Sequence, residues 1–284
     1  MTTSVSGTFE VTQVKPLIGA VIETDKETLL SGRHSAEIRG MLEDRGVMVF
    51  PKVHFTDEEQ VEFTKTLGKF VPEMHGDIFK ISMDKAINPQ ADYVKGAFYW
   101  HIDGTMQQVP LFASMLTCKK VAPVGGNTEF CNTYAAWDAL PDDEKAAIEN
   151  LRVVHSLVAA QLFVEPEPDL ALLDQWSWLG TNELPLVWTH TSGRKSLVLG
   201  STCDYVVGMD PIESRRLLVK LRDWATQEQF SLSHVWSVGD AVIWDNTGTM
   251  HRARSFDPKC GRLMHRFTLE GIETVPAAPE PIMA

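Results

Sequence analysis

Basic residues are scarce in this chain, and their scarcity excludes one class of partner. Lysine and arginine together number 26 against 38 aspartates and glutamates, which gives a net charge of −12. Nucleic acids select basic surfaces, so we expect no nucleic-acid partner. If such a chain binds a small anion, individual arginines must supply the local positive charge.

Cysteines and long apolar runs are also few. The four cysteines form no Cys-x-x-Cys pair and are widely spaced, at Cys118, Cys131, Cys203 and Cys260. This pattern indicates a reducing cytosol and argues against a disulfide framework or a zinc cluster. No apolar run reaches the roughly eighteen residues of a membrane span. The N-terminus shows no basic region followed by an apolar stretch, so we expect no secretory signal and a cytoplasmic protein.

Short β-rich segments with glycine-containing turns dominate the chain from about residue 112 onward. The turns are indicated at Gly125-Gly126, Ser192-Gly193 and Gly239-Asp240. Helices are expected at Ser35 to Arg45, after a Thr56–Glu59 capping box, at Pro141 to Leu151 and at Asp210 to Gln227. Many short strands with a few helices predict a mainly β fold, a jelly roll with helices packed on its outside.

The segment Ala97 to Asp103 carries the clearest chemical signal. It is rich in aromatic and apolar residues, as a half-buried strand should be. In a strand, His101 and Asp103 would project from the same face and could share one metal ion. A second histidine from a distant strand would complete a 2-His-1-carboxylate face, which leaves positions of Fe(II) open for oxygen chemistry. The alternative is a surface histidine beside a solvated carboxylate.

A second His-x-Asp pair occurs at His75-Gly76-Asp77. About one such pair is expected by chance at this composition. The glycine between its polar residues is more typical of a turn or loop than of a strand. We therefore favour the pair at His101 and Asp103 as the metal-binding one.

The stretch 161–184 is long, acidic and aromatic, and it shows no clear periodicity. A long irregular insert in a compact domain is often a lid over a site. The alternative is a simple surface excursion.

Taken in order, the motifs of this chain resemble those of the taurine dioxygenase family, which includes aryloxyalkanoate and alkylsulfatase dioxygenases. The motifs are His101-x-Asp103, Gly125-Gly126-Asn127-Thr128, Trp244-Asp245-Asn246, His251 and Arg262-x-x-x-Arg266. The interval from His251 to Arg262 is 262 − 251 = 11 residues, as in the family. The resemblance runs from about Val47 to Gly271.

The resemblance implies a double-stranded β-helix, which is a jelly roll, over a single domain of residues 1–284. It also implies an enzyme that uses Fe(II), with 2-oxoglutarate and O2 as co-substrates. Members of the family commonly form homo-oligomers, either dimers or tetramers.

Residue roles follow from the same resemblance. It implies that His101, Asp103 and His251 are the iron ligands. Thr128 and Arg262 would hold the distal carboxylate of 2-oxoglutarate. Arg266 would pair with the anionic end of the primary substrate, and a guanidinium fork suits a carboxylate or sulfonate. His75 is a candidate substrate contact, because taurine-cleaving members place a histidine near this point.

The implied reaction is hydroxylation of a small anionic organic substrate, at a carbon bearing a sulfonate, a sulfate ester or an ether oxygen. Ala97 stands where taurine-cleaving members place a polar amide, which argues against taurine itself. One alternative is the same chemistry on an amino acid, a lipid or a natural-product carboxylate. A remote alternative is a jelly-roll protein that binds a metal without catalysis.

Overall fold

A computed structural model describes residues 8–72 and 78–276 of the chain. Its helices are α1 Lys26–Leu30, α2 Ser35–Arg45, α3 Asp57–Leu67, α4 Ala91–Val94, α5 Thr133–Asp138, α6 Asp142–Ile148, α7 Leu157–Gln161, α8 Leu170–Ser177 and α9 Pro211–Ala225. Its strands are β1 Phe9–Gln13, β2 Ala20–Thr24, β3 Val47–Phe50, β4 Phe70–Val71, β5 Phe79–Ile81, β6 Ala113–Lys120, β7 Thr128–Asn132, β8 Arg152–Ser156, β9 Thr181–Pro185, β10 Val187–Thr189, β11 Lys195–Leu197, β12 Cys203–Val206, β13 Ser231–His234, β14 Ala241–Asp245, β15 Thr249–Ala253 and β16 Leu263–Leu269.

The predicted jelly roll is confirmed, with two sheets at its centre. The larger sheet has the strand order β1-β2-β3-β14-β6-β16-β4, and β5 adds to it by pairing with β16. The smaller sheet has the order β13-β7-β15. Strand β14 is buried along its whole length, which explains its unbroken apolar start of Ala, Val, Ile and Trp. Sheets β12-β8-β9 and β10-β11 extend the fold beside this pair.

Aromatic side chains fill the space between the two central sheets. Phe130 of the smaller sheet and Trp244 of the larger one are both buried, and their ring centroids lie 5.5 Å apart. This contact joins the two sheets through a close-packed interior.

The four helices expected from the sequence are present as α2, α3, α6 and α9. The Thr56 hydroxyl accepts a hydrogen bond from the Glu59 N–H at 3.1 Å, and the Glu59 carboxylate accepts one from the Thr56 N–H at 2.8 Å. The capping box at the start of α3 is thus confirmed. No helix in the described part of the chain combines the length and apolarity needed to cross a bilayer.

Two local expectations were wrong. Residues 97–103 do not form a regular strand, because the chain makes a 3-10 helix at Lys95–Phe98 and pairs only at His101, through one isolated bridge. The segment 161–184 is not irregular, since it contains α8 and the start of β9. The side chain of Asp169 caps α8 by accepting from the Leu172 N–H at 2.8 Å.

Candidate active site

A single β-bridge brings together two histidines that are 251 − 101 = 150 residues apart. The backbones of His101 and His251 exchange both hydrogen bonds, at 3.0 and 2.9 Å. Asp103 lies next to them, with one carboxylate oxygen 3.7 Å from His101 Nε2 and the other 3.8 Å from His251 Nε2. The ligand atoms of the three residues all lie within 4.8 Å of one another. Within the described residues this is the one such group that could hold a metal ion.

The two imidazoles each turn Nε2 toward Asp103. His101 Nδ1 lies 2.8 Å from the Tyr99 carbonyl oxygen. A carbonyl can only accept, so Nδ1 donates to it, and Nε2 is the ring nitrogen that faces Asp103. Burial lowers the pKa of His251 well below its ordinary value, and the neighbouring His101 lowers it further. His251 is therefore neutral, which leaves a lone pair for a cation.

Asp103 is held by a chain of buried hydrogen bonds. The Ser114 hydroxyl donates to its carboxylate at 3.0 Å, and the Asn246 amide donates to the Ser114 oxygen at 2.8 Å. The Trp244 indole N–H in turn donates to the Asn246 carbonyl oxygen at 2.8 Å. Burial raises the pKa of Asp103, but the neighbouring basic side chains of His251, Arg266 and His101 and the hydrogen bond from Ser114 outweigh it and hold the pKa well below its usual range. The carboxylate is thus charged and fixed in direction.

Arg262 and Thr128 lie together beside the smaller sheet. Thr128 begins β7 and is 3% exposed, and Arg262 precedes β16 and is 4% exposed. The Arg262 guanidinium donates to the Gly126 carbonyl oxygen at 3.1 Å and lies 5.0 Å from the centre of the Phe256 ring. Burial lowers the pKa of Arg262 to about 10, so the group stays charged near neutral pH. A buried cation that contacts a carbonyl and a ring is suited to an incoming carboxylate.

Arg266 projects into a cavity of about 510 Å³ that also contains His101 and Asp103. Its guanidinium lies 3.6 Å from the Asp103 carboxylate and 4.9 Å from the centre of the Phe79 ring. The register of β16 against β6 shifts between Leu263 and Met264, which pair with Lys120 and Cys118 and leave Lys119 of β6 as the extra residue. This irregularity lies between the two arginines.

The remaining predicted residue, His75, lies outside the described residues. Other contacts were missed by sequence reasoning, namely those of Ser114, Asn246 and the Tyr99 carbonyl. Asn246 belonged to a recognised motif, but nothing in the sequence pairs it with Ser114, which lies 132 positions away. A serine within a buried strand carried no chemical signal of its own.

Comparison with known proteins identifies the class of this arrangement. The family described as "Taurine catabolism dioxygenase TauD, TfdA family" matches residues 10–268. The chain belongs to this family. As a TauD, TfdA member it is a dioxygenase that uses Fe(II), 2-oxoglutarate (alpha-ketoglutarate) and O2. The alternative of a metal-binding protein without catalysis is therefore wrong.

Two relatives and one solved structure are similar to this chain over most of its length. The alpha-ketoglutarate-dependent 2,4-dichlorophenoxyacetate dioxygenase of Cupriavidus pinatubonensis is 34% identical over 273 residues, covering 89% of this chain and 94% of that protein. The alpha-ketoglutarate-dependent sulfate ester dioxygenase of Pseudomonas putida is 27% identical over 271 residues, covering 85% and 88%. The crystal structure of AAD-2 in complex with Mn(II) and N-oxalylglycine has a TM-score of 0.82 at 31% identity, covering 95% of this chain and 100% of that one.

Proposed function

We propose that His101, Asp103 and His251 hold the Fe(II) ion. Two Nε2 atoms and one carboxylate converge, and the pKa directions leave the imidazole of His251 neutral and the carboxylate charged. This donor set suits Fe(II) and leaves coordination positions for co-substrates. When bound, the ion supplies the oxidising chemistry, while the protein orients the reactants and excludes water.

Thr128 and Arg262 are proposed to bind the distal carboxylate of 2-oxoglutarate. The support is the buried guanidinium beside Gly126 together with a buried hydroxyl two residues further along the chain. The protein as a whole is acidic and repels an anion. A buried cation in the site supplies the local attraction that the anion needs.

We propose that the primary substrate is a small aryloxyalkanoate whose carboxylate pairs with Arg266. One observation carries this choice, namely a single guanidinium within a mainly apolar cavity wall that includes Phe79, Leu157 and Leu179. Among the described residues lining that cavity, the one carboxylate is Asp103. An aromatic ring gains from the apolar wall, which favours an aryloxyalkanoate over taurine or an amino acid.

The chemistry follows from where hydroxylation would occur. A hydroxyl placed on the carbon between the ether oxygen and the carboxylate creates a hemiacetal. That group breaks down to a phenol and a 2-oxo acid without further help from the protein. One atom of O2 enters the substrate, the other enters succinate, and 2-oxoglutarate loses CO2. Arg266 would hold the carboxylate so that this carbon faces the ligands.

Residues 161–184 are proposed to form a lid within a single domain of residues 1–284. Gln161 and Leu179 line the substrate cavity from the two sides of α8. The Asn182 amide donates to the Thr105 carbonyl oxygen at 2.8 Å, which ties the end of the segment to the loop after Asp103. The segment can therefore cover the substrate without touching the metal ligands. His75 stays a proposed substrate contact.

We also propose that the enzyme is cytoplasmic and forms a dimer or tetramer. The four free cysteines support a reducing compartment. On α8 and just beyond it, Leu170 and Trp178 are 72% and 75% exposed, which supports burial against a second copy. Light scattering of the wild type and of Trp178→Ser should give a smaller particle for the variant.

A substrate panel tests the proposed activity. Succinate formation is measured with 2,4-dichlorophenoxyacetate, an alkyl sulfate, taurine and an amino acid. We expect turnover highest with the aryloxyalkanoate, and Arg266→Ala should raise its KM about 100-fold, because the buried carboxylate loses its charged partner. Arg254→Ala, which removes a half-exposed arginine, is the matched control. Faster turnover of taurine or of the amino acid would refute the substrate class.

A further inference from the structure

The Thr128 hydroxyl has a neighbour that restricts the direction of its proton. The indole N–H of Trp236 donates to Thr128 Oγ1 at 3.0 Å, and both side chains are buried. An indole nitrogen can only donate, whereas a hydroxyl has one proton and can accept twice. Trp236 therefore occupies an acceptor position of Thr128 and leaves the hydroxyl proton to be donated to another group.

No protein acceptor for that proton is found among residues 8–72 and 78–276, where the bond from Trp236 is the one hydrogen bond that involves the Thr128 hydroxyl. The Arg262 guanidinium lies beside the same stretch of chain, because it donates to the carbonyl oxygen of Gly126, two residues before Thr128, at 3.1 Å. The described structure therefore presents a hydroxyl donor and a charged donor in one buried region. Such a pair is complementary to an anion.

The indole itself is held in place. Trp236 is 8% exposed and packs in a core cluster that includes Cys118 and Met264. The His234 ring packs against it in a T-shaped arrangement, at a centroid distance of 4.6 Å and an interplanar angle of 88°. The N–H of Ser237, the next residue, donates to the Asp240 carboxylate at 2.8 Å. These contacts fix the direction of the Trp236 N–H, so the hydroxyl cannot turn its proton toward the indole.

We propose that Trp236 is a positioning residue, which aims the Thr128 hydroxyl proton at the distal carboxylate of 2-oxoglutarate. This inference rests on the proposed assignment of Thr128 and Arg262. The indole does not touch the co-substrate. It acts by filling the acceptor side of the hydroxyl, so that the co-substrate meets a donor already turned toward it and loses less rotational freedom on binding.

A double-mutant cycle on co-substrate binding tests the proposal. N-oxalylglycine, a 2-oxoglutarate analogue with the distal carboxylate, is titrated by calorimetry into the Mn(II)-loaded protein. Thr128→Val should weaken binding about 10-fold or more, because a hydrogen bond to a charged group is lost. Trp236→Phe should weaken it about 3- to 10-fold, because the hydroxyl is kept but no longer aimed. In the Thr128→Val background, Trp236→Phe should add no further loss.

Two controls separate positioning from general damage. Trp224→Phe also removes an indole hydrogen bond, of 2.8 Å to the Ala136 carbonyl oxygen, and should leave N-oxalylglycine affinity unchanged. Oxalate binds a metal but has no distal carboxylate, so its affinity should be the same in wild type and Trp236→Phe. In turnover assays, Trp236→Phe should raise the KM for 2-oxoglutarate and leave kcat at saturation unchanged.

The outcomes distinguish this inference from the function on which it rests. Wild-type affinity in Trp236→Phe, additive losses in the double variant, or an equal loss of oxalate affinity would each overturn the positioning role. If Thr128→Val itself binds N-oxalylglycine normally, the assignment of Thr128 fails, and the positioning role fails with it.

Discussion

At the scale of single residues, the direction of two of the three candidate ligands is set by a neutral polar group behind the side chain. The Tyr99 carbonyl fixes the ring of His101, and the Ser114 hydroxyl fixes the carboxylate of Asp103. His251 differs, because its ring is held by packing, with the Trp244 ring centroid 4.6 Å away. Groups of this kind tune a metal site without contacting the ion.

Ser114→Ala tests this orienting role. The change removes the donor to Asp103 and leaves the Asn246 amide without its acceptor. We expect the affinity for Mn(II) to fall about 10-fold or more, measured by titration of the metal-free protein. Ser196→Ala is the matched control, because Ser196 is equally buried and donates to the Thr247 carbonyl oxygen at 2.8 Å instead. Equal Mn(II) affinity in Ser114→Ala and wild type would contradict the role.

At the scale of elements, the turn at Gly200 allows its backbone to lie close to the backbone of His101. Gly200 has a φ of +134°, and a Cβ added there would lie 2.9 Å from His101 Cα. The next residue, Ser201, donates its N–H to the Trp100 carbonyl oxygen at 2.7 Å. The turn after β11 therefore packs directly on the backbone that carries His101.

Gly200→Ala is expected to displace that backbone. Any side chain there is strained by the positive φ and also collides with His101, so both Tm and Mn(II) affinity should fall. Gly208→Ala is the control, since Gly208 has a φ of +75° but no atom within 4 Å of the added Cβ. Thermal melts should show a loss of several degrees more for Gly200→Ala than for the control. An equal loss of Tm in the two variants would show that the contact between Gly200 and His101 leaves room for a side chain.

The proposed lid gives a second prediction at this scale. Asn182→Ala removes the amide that donates to the Thr105 carbonyl oxygen, so the segment should close less firmly. The KM for the primary substrate should rise about 3- to 10-fold, whereas the Kd of N-oxalylglycine should not change. Steady-state kinetics and calorimetry measure the two quantities. A parallel rise in both quantities would show that Asn182 maintains the whole site and does not act through a lid.

At the scale of the whole molecule, a buried histidine links stability to pH. His155 is fully buried on β8, its Nδ1 lies 2.9 Å from the Thr202 hydroxyl, and burial lowers its pKa to about 4. Unfolding returns the group to its ordinary pKa of about 6.5. Between these two values the unfolded chain binds one more proton than the folded chain. The free energy of unfolding therefore falls as the pH falls from about 6.5 to about 4, by about 3 kcal/mol.

His155→Gln should remove this part of the pH dependence. Urea unfolding of both proteins is measured across the same pH range. The difference in unfolding free energy between wild type and variant should change by about 1.4 kcal/mol per pH unit inside the range and level off above it. Parallel pH profiles would show that His155 does not titrate with folding.

The sequence by itself determined several of the elements and the class of chemistry of this protein. Strands such as Ala241–Asp245 and the capping box at Thr56 are encoded locally, through side-chain burial and short-range hydrogen bonds. The order and spacing of the motifs determined the family, because ligand types and intervals are properties of the chain alone. Its scarcity of basic residues also indicated that individual arginines must bind an anion.

Only the tertiary structure decided which distant groups meet. The strand expected at 97–103 proved to be one bridge, because the partner of His101 is set by the packing of loops and not by local preference. The contacts of Ser114 with Asn246 and of Trp236 with Thr128 span more than a hundred positions each. Hydrogen bonds of this kind depend on side-chain geometry to within a few tenths of an ångström, which no sequence pattern specifies.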